Sequence, residues 1–307
     1  MDSRRLAIVA GLGVVELWVV GLMICSVAGG HMANFSRLSA HRTAPDAGLR
    51  AAKTLETGPA PHVVIDDKNA TLTVTVQPGT IVSVSEKTDV QGWVSGKRRP
   101  LVVERTADGV RIARGDGPLE VFMGLVERRL DVIVPPAARV DVRNAGSTAL
   151  SGLRADAVLH SDAGSIVVND QRGTLDVRTD DGRIELHGVV APSVELASDS
   201  GRIVLDGVQA DRVAVSTDDG RIDVWRSLLH AGKMQTANGH IGLELDPRSD
   251  VTVSARTSSG KVTADAPLLL AGGDGGHSSS SIRVGNGSGR LEVGSDDGSI
   301  RVSAGGV

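Results

Sequence analysis

The chain of 307 residues is short of almost everything on which ligand chemistry commonly rests. It has no Tyr, two Phe and three Trp, so aromatics make up 2% of it. That scarcity argues against sugar-stacking clefts, base-stacking platforms and a large aromatic core. A single Cys, at position 25, leaves no disulfide framework and no thiol nucleophile beyond that point. Neither charge sign dominates. Lys and Arg total 33 and Asp and Glu 37, a net charge of −4 that offers no electrostatic basis for nucleic-acid binding. The eight His show no HExxH or other close ligand spacing, and there is no Gly-x-Ser-x-Gly elbow. Gly272-Gly273-Asp274-Gly275-Gly276-His277 lacks the Lys and the following helix of a phosphate cradle. No catalytic, cofactor-binding or metal-binding residue is therefore assigned. Glycine is plentiful instead, at 38 residues, in a chain that is 40% hydrophobic. That apolar fraction excludes wholesale disorder and predicts a core of small aliphatic side chains.

Leu6 to Gly30 is an apolar run of 25 residues with one charge, Glu16. It exceeds the roughly 7 to 15 residues of a secretory core and meets the ~20 that a bilayer span requires. Twelve Leu, Ile and Val residues at about −0.3 to −0.6 kcal/mol each outweigh a central charge costing roughly 3 kcal/mol. Residues 6–30 are expected to form one transmembrane helix that retains Arg4 and Arg5 inside, with the rest of the chain outside the cytoplasm of a bacterial cell. Ser26-Val27-Ala28 resembles a small-residue cleavage site, so the alternative is a removed signal and an exported chain. Ile24 before Cys25 argues against lipidation. The expected organisation is a membrane anchor over 1–30, a linker over 31–60 with room for a short helix around 47–55, an irregular N-terminal β region over 61–138, and a repeat region over 139–307 continuous with it. Within the β region, Trp93 beside Lys97, Arg98 and Arg99 reads as a loop with one packed aromatic and solvated charges; the alternative is a dock for a lipid head group or acidic glycan.

From Arg139 onward a phrase recurs: Thr179-Asp180-Asp181-Gly182-Arg183-Ile184, Ser198-Asp199-Ser200-Gly201-Arg202-Ile203, Thr217-Asp218-Asp219-Gly220-Arg221-Ile222. Its glycines, Gly164, Gly182, Gly201, Gly220, Gly239 and Gly260, are spaced by 18, 19, 19, 19 and 21, and Gly298 follows 38 later. Ser280 takes the glycine position of the copy missing between them. A period near ~19 in this many copies predicts a solenoid. Apolar residues two apart, such as Ile203 with Leu205 and Val194 with Leu196, give two strands per coil with one face inward. Gly188-Val189 and Gly207-Val208 suggest a further corner. The predicted fold is all-β: a single-stranded, β-helix-like solenoid of about eight coils after one N-terminal transmembrane helix.

Each residue of the turn has a physical reason. The glycine is expected to supply the positive φ of a tight corner, Asp to fold onto local backbone, and the Ser or Thr hydroxyl to bond the neighbouring coil. Arg183, Arg202 and Arg221 stack in one row, and Asp180, Asp199 and Asp218 in the next, so an Asp/Arg lattice is expected along the corner. The sharper alternative, Ca²⁺ binding, is weakened by the arginine after each glycine, whose charge opposes a cation.

The phrase Thr-Asp-Asp-Gly-Arg-Ile, preceded by Leu130-Asp131-Val132-Ile133-Val134-Pro135 and Val140-Asp141-Val142, resembles the putative-adhesin family of bacterial β-strand-repeat proteins, a domain of unknown function. The resemblance covers residues 60–307. It implies an extracytoplasmic β-solenoid behind a signal or membrane segment and carries no catalytic residues. The expected function is accordingly non-enzymatic: an envelope structural or interaction protein with an adhesive role. Its partners would be the membrane, through residues 6–30, a surface protein or glycan, and a second copy end to end through an uncapped last coil. The alternatives are a self-assembling membrane-tethered scaffold and a glycan-acting β-helix enzyme. The enzyme would need outward carboxylates of neighbouring coils converging in a groove lined by Trp93 or by Trp225, which is placed inward or at an edge.

Overall fold

The computed structural model describes residues 49–304 apart from 69, 96–99, 115–120, 266–267, 269 and 272–278. These residues form 24 β-strands and no helix. Residues 6–30, the expected transmembrane helix, lie outside the described residues, as does the linker to residue 48. Among the described residues no helix is long and apolar enough to cross a membrane. The stretch with room for a short helix is instead the strand Leu49–Glu56.

Parallel strands stack into two faces of a solenoid. Along the first face run Ile166–Asn169, Ile184–His187, Ile203–Asp206 and the start of Ile222–Asn238, each in register with the next. Ile166, Ile184, Ile203, Ile222 and Ile241 thus form one inward column, and Val168, Leu186, Leu205, Val224 and Leu243 a second, all essentially without solvent exposure. The second face stacks Ala157–Ser161, Leu175–Asp181, Val190–Ser200, Gln209–Asp219 and the end of Ile222–Asn238 in the same way. Burying each such side chain contributes roughly 1.5–3 kcal/mol, so aliphatic columns replace the disulfides and aromatic clusters the chain lacks.

Stacking order departs from chain order at both ends. The last strands, Gly289–Asp297 and Ile300–Ala304, insert between the rung at Met234 and Leu243 and the rung formed by Val251–Thr257 and Val262–Ala264. Asp250 guides the return: its carboxylate accepts hydrogen bonds from the Gly287 N–H (2.5 Å) and the Ser288 Oγ (2.8 Å). The C-terminal coil is therefore interior, with a parallel neighbour on each side, and the premise of an uncapped last coil does not hold. Ser279–Val284, around Ser280, is no missing copy of the repeat; it runs antiparallel to Val251–Thr257 and covers that edge. The N-terminal end mirrors this. His62–Asp67 and Thr71–Val76 stack on the coil of Arg139–Asn144 and Thr148–Ser151, while the later strands Gly109–Arg114 and Val121–Val134 lie outside them. A ribbon of Ile81–Ser95 on Val121–Val134, with Leu49–Glu56 on its near half, completes the cap. Trp93 is thus in a strand, opposite Met123, not in a loop. Antiparallel partners at both ends satisfy backbone edges that would otherwise template association.

Two charge clusters fasten the N-terminal rungs. The Arg114 guanidinium donates to Asp67 (2.7 Å) and Glu86 (2.7 Å), with Asp67 1% exposed, so three strands share one ion cluster. Burial alone would lower the Arg114 pKa; the two carboxylates outweigh it and hold the charge firmly. On the surface, His62 bridges Asp141 (2.7 Å) on one neighbouring rung and Asp108 (3.2 Å) beside the other. The hydrogen bond to Asp141, assisted by Asp108, raises the His62 pKa above its ordinary value against the opposing effect of partial burial. A raised histidine pKa contributes stability that is complete below the unfolded value of about 6.5 and is lost as pH rises through the folded value. His62→Gln should therefore lower the urea midpoint at about pH 5.5 and leave it nearly unchanged at about pH 8.5. An equal effect at both pH values would show that the bridge does not depend on the imidazolium.

Candidate functional site

The seven repeat glycines form one column at the corner between the two faces. None of them has positive φ. Their constraint is proximity: a Cβ on Gly182, Gly201, Gly220 or Gly239 would be driven onto the carbonyl oxygen of Gly164, Gly182, Gly201 or Gly220, respectively. Gly298 sits in the same way on Gly239, and Gly260 on Gly298, following stacking order instead of chain order. Left-handed backbone belongs to the opposite corner, where Gly152, Asp170, Gly188, Gly207 and Arg226 have φ of 79, 50, 63, 64 and 48°. Glycine thus serves the two corners for different reasons: it is required sterically at one and favoured torsionally at the other, where Asp170 and Arg226 also occur.

The hydroxyls beside the glycine column point inward. Ser161, Thr236, Ser295 and Thr257 donate to the carbonyls of Gly146, Gly220, Gly239 and Gly298 at 2.7–3.2 Å. In these rungs the hydroxyl bonds the backbone of the adjacent rung, whereas Thr179, Ser198 and Thr217, in the copies that carry Arg183, Arg202 and Arg221, are buried without a hydrogen-bond partner among the described residues. Gly207→Ala adds only a torsional cost, about 1–2 kcal/mol, because the nearest neighbouring atom to the new Cβ is 3.9 Å away. Gly220→Ala must separate two rungs and should cost about 4 kcal/mol or more by urea denaturation. Equal losses would refute the distinction between the two corners.

The expected lattice is built differently from its prediction. Arg183 pairs with Glu185 at 3.0 Å, and Arg202 and Arg221 both pair with Asp223 at 2.6 Å. Among the described residues, Asp180, Asp199 and Asp218 make no ion pair with these arginines. The arginines lie along the first face, where the carboxylate two residues after Gly-Arg is nearest; the turn aspartates project from the other side of the corner.

That preference creates a patch on the outer surface. Strands of the first face normally alternate buried and half-exposed residues, as in Ile166–Asn169 and Ile184–His187. Ile203–Leu205 and Ile222–Val224 are buried at three consecutive positions, so the outward Val204 and Asp223 are covered as well. The cover consists of Arg202, Arg221 and Trp225. Asp223 accepts from Arg202 Nε (2.7 Å) on one oxygen and from Arg221 Nε (2.6 Å) on the other. The Arg202 guanidinium carbon lies 5.8 Å from the centre of the Trp225 ring, a cation–π distance. Gly242, in register with Asp223 on the next rung, lets the carboxylate come close: a Cβ there would lie 3.3 Å from Asp223 Oδ1. Trp225 points outward and is 39% exposed, contrary to the inward or edge placement expected of it. A register shift between Val224 and Ser227 and the left-handed Arg226 turn the chain there, and Arg226 is held by a bidentate contact with Asp206.

Elsewhere the second face carries an open polar groove of about 750 Å³, lined by Lys233, Gln235, Arg256, Glu292 and Gly294 among others, but not by Trp225. Among the described residues no three His, Cys, Asp or Glu side chains gather closely enough to hold a metal ion.

Residues 63–303 match the Toastrack DUF4097 family. The chain belongs to that family. Solved structures similar to this Toastrack chain include a putative adhesin from Bacteroides fragilis, at 12% identity and TM-score 0.48, covering 83% of this chain and 97% of that one. A putative adhesin from Parabacteroides distasonis is 14% identical with TM-score 0.44, covering 84% and 98%. A putative lipid binding protein from the same organism is 10% identical with TM-score 0.39, covering 85% and 98%. No curated protein matches the chain.

Asp223 is the structural centre of the Toastrack patch. Asp223→Ala should lower stability by about 1–2 kcal/mol, the loss of charge-assisted hydrogen bonds to half-exposed arginines. Urea denaturation measures this, and an unchanged midpoint would show that the arginines cover the patch without their carboxylate.

Proposed function

We propose that the protein is a non-enzymatic recognition module of the bacterial cell envelope, held on the outer side of the membrane by residues 6–30 and acting through the outer surface of its solenoid, with adhesion as its role. The observation that carries this reading is the state of Asp223. A glycan-cleaving site on this scaffold needs two carboxylates, one able to give a proton and one able to attack or activate water. Of the outward carboxylates around Trp225, Asp223 is engaged by two arginines and Asp206 by Arg226, which leaves Glu244 of the next rung without a second free carboxylate to work with. Carboxylates locked in this way orient cations; they do not transfer protons. The family match supports the all-β scaffold, and the long apolar run with arginines before it supports the orientation.

Protease added to intact spheroplasts tests the topology. The solenoid should be degraded while an N-terminal tag before Arg4 remains protected. A solenoid that is protected until the membrane is broken would overturn the reading.

A further inference from the structure

We infer that the patch around Trp225 is a binding site for a carboxylated sugar unit of an envelope polysaccharide. This deepens the reading just given by naming a ligand class.

Three observations converge on it. First, the guanidinium groups of Arg202 and Arg221 come from adjacent rungs and are fixed on the buried Asp223, whose side chain is 1% exposed, Arg202 through Nε and Nη2 and Arg221 through Nε. Arg202 Nη1 and both Nη atoms of Arg221 have no partner among the described residues, and the two side chains are 37% and 57% exposed. Two planar, oriented donors with free N–H groups form a receptor for a planar anion, and little entropy remains to be lost on binding. Second, Trp225 stands next to this pair with much of its ring in solvent, although the chain has only five aromatics in all. A ring beside an anion receptor suits the C–H face of a pyranose. The register shift between Val224 and Ser227 turns the strand at the ring. Third, the charge around the ring is balanced: Arg183, Arg202, Arg221 and Arg226 face Glu185, Asp206, Asp223 and, on the next rung, Glu244. With no excess of positive charge to hold a dianionic phosphate, recognition falls to the oriented guanidinium forks, which suit a singly charged carboxylate.

The test is calorimetric titration of the full-length chain in detergent with a galacturonate oligosaccharide and with its methyl ester. Binding of the acid is expected, with the ester weaker by at least about tenfold. Trp225→Ala should weaken the acid by about tenfold and Trp225→Phe by less. Arg221→Lys keeps the charge and loses the planar fork, so it should weaken binding while urea denaturation shows the fold intact. No binding at about 1 mM acid, equal binding of acid and ester, or parental affinity in both Trp225→Ala and Arg221→Lys would overturn the inference. So would binding to phosphatidylglycerol vesicles that the oligosaccharide does not displace. The protease experiment is independent: a protected solenoid that still binds the acid at this patch would sink the envelope reading and leave the site standing.

Discussion

Everything in this molecule rests on how closely one turn of the chain can approach the turn before it. Ladder hydrogen bonds set neighbouring strands ~4.8 Å apart along the faces, and the corners must keep that spacing while the backbone changes direction. At the glycine corner the solution is contact of backbone with backbone, each glycine seated on the carbonyl of its predecessor. The same carbonyl accepts a buried hydroxyl in several rungs, so one oxygen both limits the approach and anchors it. Aliphatic columns can stack without voids only because the corner does not force the rungs apart. A side chain as small as methyl would act over the whole cross-section, since a solenoid has no second core to absorb a local displacement.

The repeating phrase made the fold legible because inward Ile, Leu and Val, spaced by two and repeated near ~19, have no other arrangement that buries them all. The same regularity concealed the order of stacking. Every copy presents the same apolar columns and the same glycine, so nothing in the pattern tells the strand at Leu291 to lie between those at Met234 and Val253. The difference is made by single residues outside the phrase, such as Asp250 receiving Gly287 and Ser288. The role of the repeat glycines was likewise open to two physical explanations. Tight turning and close approach both demand a missing Cβ, and only the dihedral angles separate them.

Reordering at both ends has a functional consequence. A solenoid that simply stopped would offer two unsatisfied strand edges, and growth by end-to-end addition would be its default behaviour. Here each terminal rung is laid down before, or apart from, the chain that finishes the stack, and each is covered by antiparallel strands. The capped architecture favours action through the sides of the solenoid over polymerisation through its ends.

On those sides, scarcity becomes informative. The sequence singles out Trp225 as one of few aromatics but not its surroundings, because Arg202, Asp206 and Gly242, which join Arg221, Asp223 and Arg226 around it, come from the rungs before and after. An isolated exposed tryptophan on an aromatic-rich protein would need no explanation. Among the described residues the apolar core is Ile, Val, Leu and Ala with a single Met, so a tryptophan adds nothing it requires. Its position outside the stack is set by a register shift, a left-handed arginine and a carboxylate buried under two guanidinium groups. A buried carboxylate is costly unless it is paired and hydrogen-bonded, and here the pairing comes from side chains of two rungs. The meeting of that ion cluster with an outward ring at one patch, on a scaffold otherwise made of repeated parts, is the physical reason to place recognition there.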